Sequence, residues 1–160
     1  MKPAGKTAVL VAVAVAWIAL DQLTKSLFAG AQPGTLFGSV SGGLVDFRLV
    51  HNTGAAWGIF AGNTMALGVF SLAVVAVLVG YFAFNVKSIN LVQTIGIALI
   101  AAGGIGNVID RFAQGYVTDF IAMTFIDFPV FNVADIGVTC GVVILFIGLL
   151  LQWRDEGEES

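Results

Sequence analysis

Asp119 and Asp135 stand in a 160-residue sequence of which only 11% is charged, and the second lies just inside a long apolar run. A carboxylate at the edge of hydrocarbon is costly and marks a functional candidate. Two that converge can share one proton: the protonated partner polarises a carbonyl while the ionised partner activates water. In YVTDF, residues 116–120, Asp119 has apolar neighbours and no cation close in sequence. Desolvation in such a setting raises a carboxyl pKa, as a general acid requires. In FNVAD, residues 131–135, Asn132 is placed to cap a helix whose first turn holds Asp135. The dipole of that helix favours a negative charge there. On these residues alone a second reading stays open, in which both aspartates cap helix ends and do no chemistry.

Other polar residues are sparse enough to name. Asp21 and Lys25 in DQLTK are spaced i,i+4, which puts them on one helix face as an ion pair with a structural role. HNTGAAWG, residues 51–58, offers Asn52 as donor and acceptor and Gly54 as a point of close backbone approach. On spacing alone it is also an ordinary turn. GGIGNVIDR, residues 103–111, carries small residues for tight helix packing, then Asn107 and Asp110 on one face and Arg111 beside them. Its glycines follow no strand and no GKS or GKT, so a phosphate loop is excluded. Asp110 competes with Asp119 as partner of Asp135, but the adjacent Arg111 suits an ion-paired anchor better than a proton shuttle. Cys140, the one cysteine, reads as a small core residue, and the single His51 argues against a histidine-rich metal site.

These residues need elements to hold them. The chain is 58% hydrophobic, with a mean hydropathy of +0.97. Soluble domains carry about 25% charged residues, so the composition predicts a polytopic membrane protein. Four stretches are long enough to cross a bilayer as helices: about 7–28, 65–84, 90–108 and 133–152. The first continues through Asp21 and Lys25 without a small-residue cleavage site and is read as a retained helix. Lys2, Lys6, Lys87 and Arg154 fall on one side, against Lys25, Arg48 and Arg111 on the other. That bias places both termini in the cytoplasm and the loops 29–64 and 109–132 outside. The first loop alternates apolar residues with glycine pairs over 36–60, which predicts short strands and a small sheet on the bilayer surface. Trp57 and Phe60 suit the interfacial zone. The expected fold is an all-α integral membrane protein with four transmembrane helices and a small extracytoplasmic β-rich loop region. It forms one domain over 1–154, followed by an acidic cytoplasmic tail over 155–160.

Taken in order, DQLTK, HNTGAAWG, GGIGNVIDR, YVTDF and FNVAD resemble the lipoprotein signal peptidase (signal peptidase II) family over about the whole chain. The resemblance implies a membrane aspartic endopeptidase that removes signal peptides from bacterial prolipoproteins. The implied cut falls immediately before a cysteine carrying a diacylglyceryl group. It implies Asp119 and Asp135 as the catalytic pair, with Asn52, Gly54, Asn107, Asp110, Arg111 and Asn132 binding substrate or supporting the site. Asp21 and Lys25 take a structural place. It further implies no metal or cofactor, inhibition by cyclic peptide antibiotics of the globomycin type, and a place in the bacterial inner membrane. Ile136, where the family often has serine, and Thr118, where valine is common, depart from its pattern.

The rival from another class is a small proton-coupled transporter, in which buried acids form a relay. Transport predicts acids near the bilayer midplane and broken helices in matching halves, and the sequence has neither. No basic cluster with interleaved aromatics supports nucleic-acid binding. Membrane lipids and prolipoproteins are the expected partners, and a monomer is the default state.

Overall fold

Among the described residues the apolar runs fold into four helices: α1 (Pro3–Ser26), α2 (Thr64–Asn85), α3 (Leu91–Gln114) and α4 (Val133–Glu158). The computed structural model describes residues 1–54 and 62–158, so Trp57 and Phe60 lie outside the described residues. Each helix is long and apolar enough to cross a membrane. α3 is the central one, with 67% of its span buried against 11%, 17% and 22% for α1, α2 and α4. The other three helices pack around it, and α2 and α4 scarcely touch each other. Small residues permit the close approach. A Cβ on Gly96 would lie 2.6 Å from the backbone nitrogen of Leu145, and one on Gly103 would collide with the carbonyl oxygen of Ala134.

Helix ends follow local chemistry. Pro3 starts α1 at a position where its missing N–H costs nothing. Asn90 and Gln93 form a reciprocal capping box at the start of α3. On the sequence alone this helix spans the membrane over about 90–108 and GGIGNVIDR ends it. It instead runs to Gln114, because no breaker intervenes and Asn107, Asp110 and Arg111 turn into the protein. Gly115, with φ of 80°, then ends it. α4 likewise continues to Glu158, through part of the stretch read as a tail, since arginine and glutamate are good helix formers.

Three strands form an antiparallel sheet in the order β1 (Leu36–Val40), β2 (Val45–Asn52), β3 (Val117–Met123). β1 and β2 come from the first loop. β3 comes from the second and takes up VTDF of the YVTDF motif, a segment for which the sequence predicts no strand. Its pairing sets Asp119 opposite Val50 and Val117 opposite Asn52. The sheet is fastened to the end of α1 by Phe28, which stacks on Phe120 at 4.3 Å beside the buried Leu49.

At the far end of the bundle, the buried Lys6 donates to the carbonyls of Val86, Lys87 and Ile89 in the turn between α2 and α3. Asn90 donates to the Gly148 carbonyl and Gln93 to Gln152, which ties α3 to α4. This polar staple holds the helices together at the end away from the sheet.

Candidate active site

Asp119 on β3 and Asp135 in the first turn of α4 line one cleft of about 520 Å³. Ser71 of α2, Gly104 and Asn107 of α3, and Thr139 and Cys140 of α4 continue it down between the helices. Because α2 and α4 meet α3 but hardly each other, their facing sides are left to line this space. Cys140 is therefore exposed in the cleft, and the expectation of a core cysteine is corrected.

Asn132 joins the two carboxylates. Its side-chain amide donates to Asp119 Oδ1 at 2.6 Å, and its backbone N–H donates to Asp135 Oδ2 at 3.1 Å. Its Oδ1 meanwhile accepts from the Asp135 backbone N–H at 3.0 Å, capping α4. Asn52 Nδ2 donates to Asp119 Oδ2 at 2.9 Å, and Asn107 Nδ2 to Asp135 Oδ1 at 2.8 Å. All four oxygens of the pair thus accept from a fixed donor, which orients both carboxyls.

Behind the pair stands a buried charge cluster. Lys25 Nζ lies 2.9 Å from Asp21 and 3.1 Å from Asp110, and donates to Asn107 Oδ1 at 3.1 Å. Each aspartate also holds a backbone N–H next door to the candidate pair. Asp110 accepts from Thr118, the residue before Asp119, and Asp21 accepts from Ala134, the residue before Asp135, both at 2.9 Å. Lys25 therefore clamps together the two anchors from which β3 and α4 carry their carboxylates. Asp110 is engaged by Lys25, Gln22 and Thr118, and the cleft is lined by Asp119 and Asp135 without it.

Arg111 differs from the expectation that it pins neighbouring carboxylates. It makes no ion pair among the described residues; its guanidinium donates to the Gly54 carbonyl at 3.3 Å, and its buried Nε has no hydrogen-bond partner among them. Gly54 in turn donates to Asn52 Oδ1 at 2.9 Å, so Arg111 supports the strand end that presents Asn52. Gln22 was not singled out in the sequence. A glutamine near the polar end of an apolar helix, next to Asp21, was the available signal, and it bridges Asp21 and Asp110. His51 points to the other face of β2 and stacks on Tyr116 at 3.7 Å.

Burial pushes the Asp119 carboxyl up from 3.8 to about 7, and the nearby Asp135 carboxylate adds to the rise. The hydrogen bonds from Asn52 and Asn132 and the charge of Lys25 act the other way. Between 3.8 and about 7 the folded protein holds a proton that the unfolded chain has released. Stability therefore declines as pH rises through that window.

Residues 13–151 match the family model described as Signal peptidase (SPase) II. The chain belongs to the signal peptidase II family. It is thus an enzyme of a peptidase family, built as a multi-pass bacterial membrane protein. A signal peptidase II relative from Staphylococcus aureus, named lipoprotein signal peptidase, is 36% identical over 157 residues, 96% of this chain and 94% of its own. Another so named, from Lactobacillus gasseri, is 41% identical over 110 residues, 69% of this chain and 71% of its own. Two solved structures, each described as a bacterial membrane enzyme, are 34% identical to this signal peptidase II. Their TM-scores are 0.81 and 0.77; the first covers 96% of this chain and 92% of its own, the second 89% and 93%.

Proposed function

We propose that this signal peptidase II removes the signal peptide of a bacterial prolipoprotein, cutting immediately before the S-diacylglyceryl cysteine with Asp119 and Asp135 as an aspartic pair. The observation that carries the reading is the position of the two carboxylates. They share Asn132 at the polar end of a cleft that runs between lipid-facing helices. A diacylglyceryl group can stay in hydrocarbon along α2 and α4 while the scissile peptide reaches the carboxyls. Acids gathered at one end of the bundle, where α1 and α3 finish and α4 begins, suit hydrolysis at the bilayer rim rather than a relay through the midplane.

With one proton between them, the ionised carboxyl takes a proton from water as the water oxygen attacks the scissile carbonyl. The protonated carboxyl gives its proton to the carbonyl oxygen, and a neutral gem-diol forms. The C–N bond breaks as the first carboxyl passes its proton to the departing cysteine nitrogen, and a gem-diol hydroxyl returns a proton to the second. The signal peptide leaves with a new carboxyl group and the pair is reset. The titration belongs to both groups together. Since Asp119 sits near 7, kcat/KM falls about tenfold per pH unit above an apparent pKa near that value. A profile that is flat from pH 6 to 9 contradicts the shared proton.

The basic residues Lys2, Lys6, Lys87 and Arg154 belong to the end away from the sheet, which supports cytoplasmic termini and an extracytoplasmic site. Leu36, Phe37, Val40 and Leu44 are exposed on the sheet region, as fits a surface resting on lipid. The chain acts as a monomer in this account, without metal or cofactor, and a cyclic peptide of the globomycin type competes for the cleft. The test is a comparison of one prolipoprotein with and without its diacylglyceryl group, both presented in the same micelles. Loss of the lipid lowers kcat/KM by about 10²-fold or more. Equal cleavage of the two forms refutes the lateral, lipid-anchored mode of binding.

A further inference from the structure

α4 must present Asp135 from its first turn, which has no helical turn before it to hold it. On the α3 side Asn107 and the small Gly103 and Gly106 fix it. On the α1 side, Trp17 Nε1 donates to the Val133 carbonyl at 3.1 Å, and one helical turn further along Asp21 accepts from the Ala134 N–H. The indole lies directly on Gly137: a Cβ there would collide with Nε1 and come within 2.8 Å of Cδ1 and 2.9 Å of Cε2. Trp17 and Asp21, spaced i,i+4, share one face of α1 and meet the start of α4 at Val133, Ala134 and Gly137, on either side of Asp135. Trp17 lies mid-run among apolar residues, and the catalytic scheme above gives it no part.

We infer that Trp17 is a positioning residue for Asp135, and that Gly137 is the seat its ring requires. The inference rests on Asp135 belonging to the reacting pair. The ring fills the gap between α1 and α4, and its N–H fixes the height of the Val133 carbonyl and with it the first-turn rotation. A shift of the turn by a fraction of an ångström moves Asp135 relative to Asp119 while the rest of the substrate cleft, lined by α3, β3, residues 128–131 and the other face of α4, stays in place. Such a displacement lowers kcat and leaves KM nearly unchanged.

The test uses the full-length enzyme in detergent micelles with a diacylglyceryl-modified prolipoprotein. Trp17→Phe keeps a ring and removes the donor; Gly137→Ala keeps the donor and fills the seat. Each is expected to lower kcat about 10- to 100-fold with KM within about twofold of wild type, and to move the alkaline limb of the pH profile, which a purely structural packing residue would not do. In a Trp17→Val background, Gly137→Ala should cost no further kcat, because the ring atoms its methyl would strike are gone. Wild-type kcat and pH profile in either folded single variant overturn the inference, as do full additive losses in the double variant. Asp135→Asn is run beside them. If it stays fully active, the pair itself is wrong; if it is dead while Trp17→Phe and Gly137→Ala are normal, only the positioning role fails.

Discussion

Asp119→Asn and Asp135→Asn each lower the rate of prolipoprotein cleavage by about 10³–10⁴-fold while the protein still folds and remains in the membrane. The substitution keeps the size and shape of the side chain, so packing is not what changes. Both oxygens of each carboxyl accept hydrogen bonds, from Asn52 and Asn132 at Asp119 and from Asn107 and Asn132 at Asp135. An amide at either position sets one donor against another and loses one of these bonds, roughly 1–3 kcal/mol. Removing a buried ionisable carboxyl offsets much of that cost, so unfolding midpoints in detergent shift little. The loss of rate has a different origin: the pair no longer holds one acid and one base. Single-turnover cleavage with matched amounts of monodisperse protein measures it. Activity within tenfold of wild type in both variants contradicts the pair. If Asp119→Asn alone stays active and Asp110→Asn does not, Asp110 takes the second place.

Lys25→Met is expected to fail in a different way, through stability first and activity second. The ammonium is 5% exposed and lies between Asp21 and Asp110, themselves 0% and 5% exposed. Removing it leaves two buried carboxylates facing each other without a counter-ion, a change on the order of 3–5 kcal/mol. The repulsion is delivered to Thr118 and Ala134 through the backbone N–H groups that the two aspartates hold. What remains folded should therefore turn over slowly. The Lys25→Met, Asp110→Asn double variant removes one of the opposed charges and recovers part of the lost stability. Thermal unfolding in micelles, followed by cleavage assays on the folded fraction, checks both parts. An unfolding midpoint and kcat unchanged in Lys25→Met would show that the cluster does not carry strain between β3 and α4.

Much of this architecture was legible in the sequence because its signals are local. Runs of about 20 apolar residues announce helices, and a chain so poor in charge makes each remaining charge conspicuous. The glycine-rich first loop announced strands for the same reason. The pairing of β3 was not legible, since VTDFIAM has no turn signal tying it to a strand some 70 residues earlier. The i,i+4 spacing identified Asp21 and Lys25 as a pair, but nothing local brings Asp110 to the same ammonium across the bundle. Arg111 was misassigned because its neighbour in sequence is an aspartate, whereas its partner in space is a backbone carbonyl of the first loop. Cys140 was misplaced because an apolar run does not reveal which face lacks a neighbouring helix. Trp17 was invisible for a related reason: in an apolar helix a tryptophan needs no explanation until its N–H is seen on Val133.

The most direct measurement is the mass of the products when purified protein meets a diacylglyceryl-modified prolipoprotein, with the Asp119→Asn, Asp135→Asn double variant alongside. The wild type alone is expected to give two products, a free signal peptide and a lipoprotein whose first residue is the diacylglyceryl cysteine. No products, a cut at another bond, or the same products from the double variant would contradict the proposed cleavage.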